Sequence, residues 1–479
     1  MSSSEKVPMN FSGGSFVHEV PPYSEIKKGS SPNHIRSDSK AEIMFKSNSW
    51  RDLWAAILYY VHLAGVIVIL GLNFHNLSKL ETVPSDTTKI FQSLGIIGIT
   101  LLVGVILITI FLSLINNFPK TMIKGTFIST IVLLGMMGIG MFFVPGGAFA
   151  GLIYLILAGL NLFIYFSWRK RIPFSASLLK CVVDVMKIYP NTWNLTIFAI
   201  LSQATFTALY VVTLTAISLK YSDQIKSGAD VQLEGVDIAS MLYIVFSMYW
   251  SMQVVENVVH TSVCGVFATF YFLHGTGAAI IKPVWNSFSR SMTYSFGSIA
   301  FGSLIVAIIQ FVRFLINSTR NDRDNLAAAC ADCLLGMIEG LVRYFNYYAY
   351  VHVAIYGKPF IQSGKDTWEL IKSHGVDVII NDSLVGNCMS VAVLLIGLTC
   401  ALIAFLIGLM FLDNQALIIT STVLSFVFVT MIAAVATQLI ESGVSATLVC
   451  YAEDPSALQR SKPELYREIT HSYQQSFLQ

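Results

Sequence analysis

The chain has 479 residues, of which 54% are hydrophobic and only 12% are charged. Soluble globular domains carry about 25% charged residues, so this composition predicts a protein embedded in a lipid bilayer. The net charge is +2, and no run of basic residues is interleaved with aromatic residues. The composition therefore argues against a nucleic-acid partner.

The first 50 residues are rich in Ser, Pro, Lys and Glu and contain no continuous apolar core. They differ in this from a secretory signal peptide, and we interpret residues 1–50 as a disordered tail. The remainder divides into a predicted membrane domain, residues 51–452, and a second tail, residues 453–479.

Long apolar runs follow one another through the membrane domain. A helix needs about 20 apolar residues to cross a bilayer core about 30 Å thick, and ten runs meet this requirement. They are residues 54–74, 90–115, 122–144, 148–167, 193–219, 239–272, 293–318, 334–356, 384–411 and 416–441. The eighth is the least apolar, because it contains Arg343 and several tyrosines. The predicted fold is an all-α polytopic membrane protein with about ten transmembrane helices.

The distribution of Lys and Arg orients these spans. Ten spans place both termini on one side, where the tails, links and span ends carry 22 Lys and Arg, against 6 on the opposite side. Because positive charge accumulates in cytoplasmic loops, we expect both termini to be cytoplasmic. The other two, Arg313 and Arg343, lie within spans.

Two of the cytoplasmic links have helical periodicity. Residues 173–190 place Leu178, Leu179, Val182, Val183 and Met186 on one face, with Lys180, Asp184 and Lys187 opposite. Residues 359–374 repeat the pattern with Phe360, Trp368 and Ile371. We predict two amphipathic helices that lie in the membrane interface or pack under the bundle.

The sixth run carries polar side chains in its middle. Tyr249, Gln253, Glu256 and His260 are spaced by 4, 3 and 4 residues, which places them on one helical face. Ionisable residues inside a span usually face a cavity or another helix. One interpretation is the wall of a translocation path. The alternative is a hydrogen bond from Glu256 to His260, supported by Gln253, that joins this helix to a neighbour.

The eighth run supplies a second set of candidates. It contains five tyrosines within 13 residues, and Tyr347 lies beside Asn346. Aromatic faces attract quaternary ammonium groups, so an aromatic cavity with one carboxylate would suit an organic cation. We expect Glu256 to be the anionic partner and Tyr249, Trp250 and Tyr347 to be aromatic contacts. Gln253 and Asn346 complete the predicted site, with His260 as a possible proton-linked switch.

Other signatures are few. Asn76 and Asn317 begin glycosylation sequons in predicted outside loops. Cys330 and Cys333 form a single C-x-x-C pair without nearby ligands at metal spacing, so we predict no metal site. No nucleotide-hydrolysis, metalloprotease or serine-hydrolase motif is present. We therefore expect neither an enzyme nor a cofactor.

Two stretches resemble a known family. They are MTYSFGSIAFGSLIVAIIQFVRFL, residues 292–315, and YFNYYAYVHVAIYGKPFIQSGKDTWELI, residues 344–371, and both are similar to the choline transporter-like family. RIPFSASLLKCVVDVMK, residues 171–187, and NVVHTSVCGVFATFYF, residues 257–272, resemble its fungal branch.

The resemblance implies ten transmembrane helices, cytoplasmic termini, and transport of choline or a related amine at the plasma membrane. The first hypothesis is therefore a transporter of a small organic cation, by facilitated or ion-coupled movement. The alternative is a structural, regulatory or lipid-handling membrane protein whose polar stripe only joins helices.

Overall fold

The computed structural model describes residues 49–79, 87–221, 234–274, 281–318, 326–412 and 414–464, together with residues 466, 467 and 470. The predicted tail of residues 1–50 lies outside these ranges except for residues 49 and 50, and most of the last 17 residues of the predicted second tail also lie outside them. The described chain consists of helices joined by short turns, with no strand among these residues.

Thirteen α-helices follow one another in the described ranges. They are α1 Leu53–Asn73, α2 Thr87–Asn117, α3 Pro119–Met141, α4 Ala148–Trp168, α5 Ile172–Ile188, α6 Trp193–Leu219, α7 Gly235–Leu273, α8 Pro283–Met292, α9 Phe296–Ser318, α10 Leu326–Tyr356, α11 Phe360–Phe411, α12 Gln415–Glu453 and α13 Pro455–Ser461. Short 3₁₀ helices follow α1, at Phe74–Lys79, and precede α6, at Pro190–Thr192.

Nine of the described helices are long and apolar enough to cross a membrane. They are α1, α2, α3, α4, α6, α7, α9, α11 and α12. The predicted all-α polytopic membrane protein is therefore confirmed. The eighth predicted span corresponds to α10, which is long enough but less apolar than the other nine.

Contacts at the helix ends define two faces of the bundle. At the face where α1 begins, here called the N face, the backbone N–H of Arg51 donates to the carbonyl of Tyr294 (3.0 Å). At the opposite face, the far face, Arg313 at the end of α9 contacts Asp332 near the start of α10 (3.0 Å). The end of α10 returns to the N face, where the Tyr356 hydroxyl donates to Glu453 of α12. Because α10 connects the two faces, it completes a tenth pass through the bundle.

The first predicted amphipathic helix is α5. Its apolar face is fully enclosed, with Leu178, Leu179 and Val182 all 0% exposed, whereas Lys180 and Lys187 are exposed. The helix packs against α2, α3, α7, α11 and α12. Of the two predicted placements, the structure has the helix packed under the bundle.

The second amphipathic segment differs from the prediction. Residues 359–374 are helical, but they form the beginning of α11, which continues without a break to Phe411. No Pro interrupts this sequence after Pro359, so nothing in it terminates the helix. The tenth span is also longer than predicted, because α12 continues to Glu453 and buries most of its last twelve residues.

The main core lies where α5, α7 and α12 meet. An added Cβ at Gly443 of α12 would lie 2.7 Å from Phe267 of α7 and 2.8 Å from Val182 of α5. Glycine therefore allows these three helices to approach closely. Close packing matters in a bilayer because lipid tails are as apolar as the side chains, so the helices are not driven together by the hydrophobic effect. By contrast, α4 presents large apolar side chains outward, such as Phe149 at 75% exposure.

Candidate functional site

The polar stripe of α7 points into the bundle, and α1, α9, α10 and α12 all pack against this helix. Gln253 and Asn257 are 7% and 8% exposed, and His260 is fully buried. The predicted inward orientation of the stripe is confirmed by these values. The contacts of each side chain then distinguish packing residues from residues that a solute could reach.

Trp250 is a packing residue. Its indole N–H donates to the carbonyl of Ala300 in α9 (3.0 Å), and its ring stacks on His62 of α1 with centroids 4.4 Å apart. Only 1% of Trp250 is exposed, so its faces are already covered by protein. Tyr249 is partly buried and packs against the same cluster of α1, α7 and α9 side chains. The two predicted aromatic contacts thus belong to one helix junction.

His260 is held on both ring nitrogens. Nε2 lies 2.8 Å from the backbone carbonyl of Tyr347 in α10, and Nδ1 lies 2.8 Å from the hydroxyl of Ser442 in α12. Since a carbonyl only accepts, Nε2 carries the proton, and the Ser442 hydroxyl donates to Nδ1. The His260 ring also stacks on the Tyr347 ring with centroids 3.8 Å apart.

This arrangement corrects one expectation. The alternative interpretation joined His260 to Glu256 by a hydrogen bond, but both nitrogens of His260 are engaged by α10 and α12. His260 therefore joins three helices, and it does so without the carboxylate. Tyr347 contributes its ring and its carbonyl to the same junction.

Asn346 and Asn257 also connect helices. The Asn346 amide donates to the carbonyl of Gly302 in α9 (2.9 Å), and it is 4% exposed. The Asn257 amide donates to the hydroxyl of Ser303, also in α9 (2.9 Å). These bonds satisfy amide groups that would be costly to leave unpaired away from water. α7 and α10 are thus both bonded to one segment of α9.

Glu256 differs from its neighbours on the stripe. Its side chain is partly exposed, and among the described residues the carboxylate accepts only a long hydrogen bond from Gln253 (3.4 Å). The amide of Gln438 in α12 donates to the backbone carbonyl of Glu256 (3.0 Å) and leaves the carboxylate unoccupied. Tyr350 and Arg343 lie close enough to interact with Glu256 electrostatically.

Arg343 shares this exposure. Its side chain is 44% exposed and donates to Glu339 one turn earlier in α10 (3.2 Å). Glu339 also binds Arg313 of α9 (2.5 Å), which in turn binds Asp332 (3.0 Å). Arg313 is therefore part of an ion-pair network between α9 and α10. This network extends from the far face to the level of Arg343.

The predicted glycosylation residues differ in their surroundings. Asn76 is 3% exposed, and its amide contacts Asn73 at 3.4 Å. Asn317 is exposed, and its amide donates to Asp332 (3.3 Å). Glycosylation at both positions stays a prediction. Within the described residues, no group of three or more His, Cys, Asp or Glu side chains is arranged to hold a metal ion.

Sequence patterns give no signal for the partners of the stripe. Ser303 and Gln438 lie in apolar runs, and Ser442 follows the end of one, where single Ser or Gln residues are unremarkable by periodicity. Helix α8 was not predicted, although Pro283 at its first turn is a helix-start signal. Arg290 of this helix donates to the carbonyl of Ala354 in α10.

Comparison with known proteins places these features in a family. A family model described as "Plasma-membrane choline transporter" matches residues 152–456. Protein PNS1 of Debaryomyces hansenii is 31% identical over 98% of this chain and 96% of its own length. Protein PNS1 of Gibberella zeae is 34% identical over 88% of this chain and 82% of its own length. A CTL-like protein of Dictyostelium discoideum is 28% identical over 92% of this chain and 78% of its own length. The chain therefore belongs to the choline transporter-like family, in its fungal branch.

Proposed function

We propose that this protein moves a small organic cation across the membrane past Glu256, without chemical change to the cation, and that choline is the first candidate. The proposed location is the plasma membrane, with both termini in the cytoplasm. Family membership supports the solute class, because the matching family model is described as a plasma-membrane choline transporter.

The observation that carries the proposal is the exposure of two charges within the bundle. Glu256 lies near the middle of α7 and is partly exposed, and Arg343 of α10 is 44% exposed. Charged side chains facing lipid at this depth are costly, so such groups face the bundle interior or an aqueous cavity. We propose that a water-filled crevice between α7 and α10 is the reason for both exposures.

The carboxylate of Glu256 is available to a cation. Arg343 donates to Glu339, and Gln253 contacts Glu256 only at 3.4 Å. A quaternary ammonium cannot donate a hydrogen bond, so its recognition depends on charge and on aromatic faces. Tyr350 lies near Glu256 but is fully buried, so charge attraction to the Glu256 carboxylate is the proposed basis of binding. His260 of the stripe and the neighbouring Trp250 are proposed to hold the helices that form the crevice.

The alternative is that the whole stripe joins helices in a structural, regulatory or lipid-handling protein. Its support is the set of interhelical bonds made by Trp250, Asn257, His260 and Asn346. Those bonds explain four side chains, whereas among the described residues the Glu256 carboxylate accepts only the long hydrogen bond from Gln253. The two functions therefore make opposite predictions for Glu256.

The deciding experiment measures radiolabelled choline uptake into proteoliposomes by wild type and by Glu256→Gln. A bound choline would displace water from the Glu256 carboxylate, and removing one partner of such a desolvated charge pair costs about 2–5 kcal/mol, so we expect half-saturation to require at least about 30-fold more choline. Thermal unfolding of Glu256→Gln should stay near that of wild type, because the carboxylate makes one weak hydrogen bond.

A double variant tests whether the position of the carboxylate on α7 matters, and not only its charge. Gln253→Glu combined with Glu256→Gln keeps the composition and moves the carboxylate about 4.5 Å along α7. We expect this variant to transport as poorly as Glu256→Gln. Equal uptake by wild type and Glu256→Gln would reject Glu256 as the cation partner. Absence of uptake of choline and competing amines by the wild type would favour the alternative function.

A further inference from the structure

A cleft of about 560 Å³ lies at the N face, away from Glu256. It is bordered on one side by the turn after α5 and the start of α6, and on the other by α8. We call it the α6–α8 cleft. The residues that line it include Tyr189, Asn194, Phe198, Lys282, Trp285 and Phe288.

The floor of the α6–α8 cleft is apolar. The rings of Phe198 and Phe288 meet edge to face with centroids 4.8 Å apart. Leu195 and Val284 are buried beside them. A cleft of this volume with an apolar lining is suited to bind apolar groups rather than a small hydrated ion.

The rim of the cleft exposes large apolar side chains. Trp285 is 63% exposed and Ile188 is 41% exposed. Ile188 lies two residues before the span that begins at Pro190, and Trp285 lies in the link between the spans of α7 and α9. Membrane–water interfaces favour Trp because its ring is apolar and its N–H is polar. The rim is therefore suited to the headgroup and upper acyl region of a bilayer.

The polar groups of the cleft favour negative charge. Its lining includes Lys282, Asn191 and Asn194, and none of the described residues contributes a carboxylate to it. α8 begins at Pro283, and no side chain caps its N-terminus. The first turn of a helix carries a partial positive charge and backbone N–H groups without helical partners. Lys282 and this helix end thus create positive potential beside an apolar floor.

We propose that the α6–α8 cleft binds an anionic phospholipid. Its phosphate lies near Lys282 and the start of α8, and an acyl chain runs from the apolar floor past Trp285 into the bilayer. A second cleft at the N face, of about 480 Å³, places Glu369 beside Lys365 and Lys372. The Glu369 carboxylate would repel a phosphate in that cleft, whereas the lining of the α6–α8 cleft places no carboxylate of a described residue beside Lys282, so we assign the preference for anionic lipid to the α6–α8 cleft.

Lipid bound there would act on the helices that carry the candidate site. The hydroxyl of Ser287 in α8 donates to the carbonyl of Ser262 in α7 (2.8 Å). Arg290 of α8 donates to the carbonyl of Ala354 in α10. A lipid that bridges α6 and α8 would therefore also hold α7 and α10 in place, although the binding itself does not depend on transport.

The test uses Trp285 as a local probe. The full-length protein is reconstituted in phosphatidylcholine vesicles containing brominated phosphatidylserine or, separately, brominated phosphatidylcholine, whose bromine quenches Trp fluorescence on contact. The signal of Trp285 is obtained as wild type minus Trp285→Phe. One lysine near an anionic lipid contributes about 1 kcal/mol, so we expect half-quenching of Trp285 at about fivefold less brominated phosphatidylserine than brominated phosphatidylcholine.

Variants of Lys282 test whether its charge, rather than a change in folding, determines the lipid preference. Lys282 has φ 56°, in the left-handed region that Asn tolerates better than most residues. Lys282→Asn should remove the preference for phosphatidylserine, whereas Lys282→Arg and the matched control Lys365→Asn should retain it. Equal quenching by the two lipids in the wild type would overturn the proposal, as would an unchanged preference in Lys282→Asn.

A soluble phosphate ester tests whether the cleft binds a lipid or a soluble anion. Millimolar glycerol 3-phosphate should leave the preference intact, because it has no acyl chain to occupy the floor. Loss of the preference with glycerol 3-phosphate, but not with sodium chloride at the same ionic strength, would assign the site to a soluble anion. That result would also overturn the proposal.

Discussion

Gly297→Ala tests how the chain before α1 is attached to the bundle. Gly297 lies in the first turn of α9, and an added Cβ would be 2.3 Å from the carbonyl oxygens of both Arg51 and Asp52. Atoms at that distance overlap, and both obstacles are backbone, which no rotamer change can remove. The segment at residues 50–52 must therefore move away from α9.

The cost follows from the bonds that this segment makes. The Asp52 carboxylate accepts from the Ser298 hydroxyl (2.6 Å) and from the backbone N–H of Phe360 (2.8 Å). Hydrogen bonds to charged groups contribute about 1.5–3 kcal/mol each, so losing both costs about 3–6 kcal/mol. Ala recovers about 1 kcal/mol as the better helix former. We expect a net loss of about 2–5 kcal/mol.

Two measurements check this loss. The thermal midpoint of the purified protein should fall in Gly297→Ala, and amide hydrogen exchange should accelerate in the peptide that contains Phe360. Gly340→Ala in α10 is the matched control, because nothing lies within 4 Å of the added Cβ. If Gly297→Ala unfolds at the same temperature as Gly340→Ala and exchange at Phe360 is unchanged, the inferred attachment is incorrect.

Two further outcomes are expected. His260→Phe keeps a ring beside Tyr347 but removes the hydrogen bonds to Tyr347 and Ser442. The free energy of unfolding should therefore fall by about 1–2 kcal/mol, while the choline concentration for half-saturation stays unchanged. A large change in half-saturation without a loss of stability would contradict the packing role. Lys220 donates to Asp237 (2.8 Å) and Glu234 (2.9 Å), which raises the pKa of Lys220 above its ordinary value of 10.5. A raised pKa stabilises the fold below the unfolded-state pKa and loses that effect as pH rises through the folded-state pKa. The stability difference between wild type and Lys220→Met should thus be constant near neutral pH and shrink only in strongly alkaline buffer, and a change between pH about 6 and 9 would refute this pairing.

The length of the apolar runs predicts where the most apolar helices lie, and the structure agrees with those predictions. α10 is instructive because its Tyr and Arg residues lower its apolarity, yet its two ends contact opposite faces of the bundle through Asp332 and Tyr356. The continuous helix from Phe360 to Phe411 agrees with the absence of Pro after Pro359, but apolar length predicts only the span itself and not the polar helix that precedes it.

The candidate site was predictable as a helical face but not as a set of contacts. Periodicity places Gln253, Glu256 and His260 together, because one helix determines their spacing. It cannot identify Ser442 or the carbonyl of Tyr347 as the partners of His260, since those positions depend on how α10 and α12 pack against α7. Helix packing therefore decides which members of the stripe are enclosed.

This distinction also explains how one stripe would serve the two proposed purposes. Asn257 and His260 bond α7 to α9, α10 and α12, and these bonds keep the helices together where lipid provides no hydrophobic drive for association. A carboxylate could be held open within a membrane protein only if the helices around it are fixed by other means. The enclosed residues of the stripe supply that fixation, and Glu256 is left partly exposed between them. The packing and transport interpretations thus apply to different residues of the same helix face.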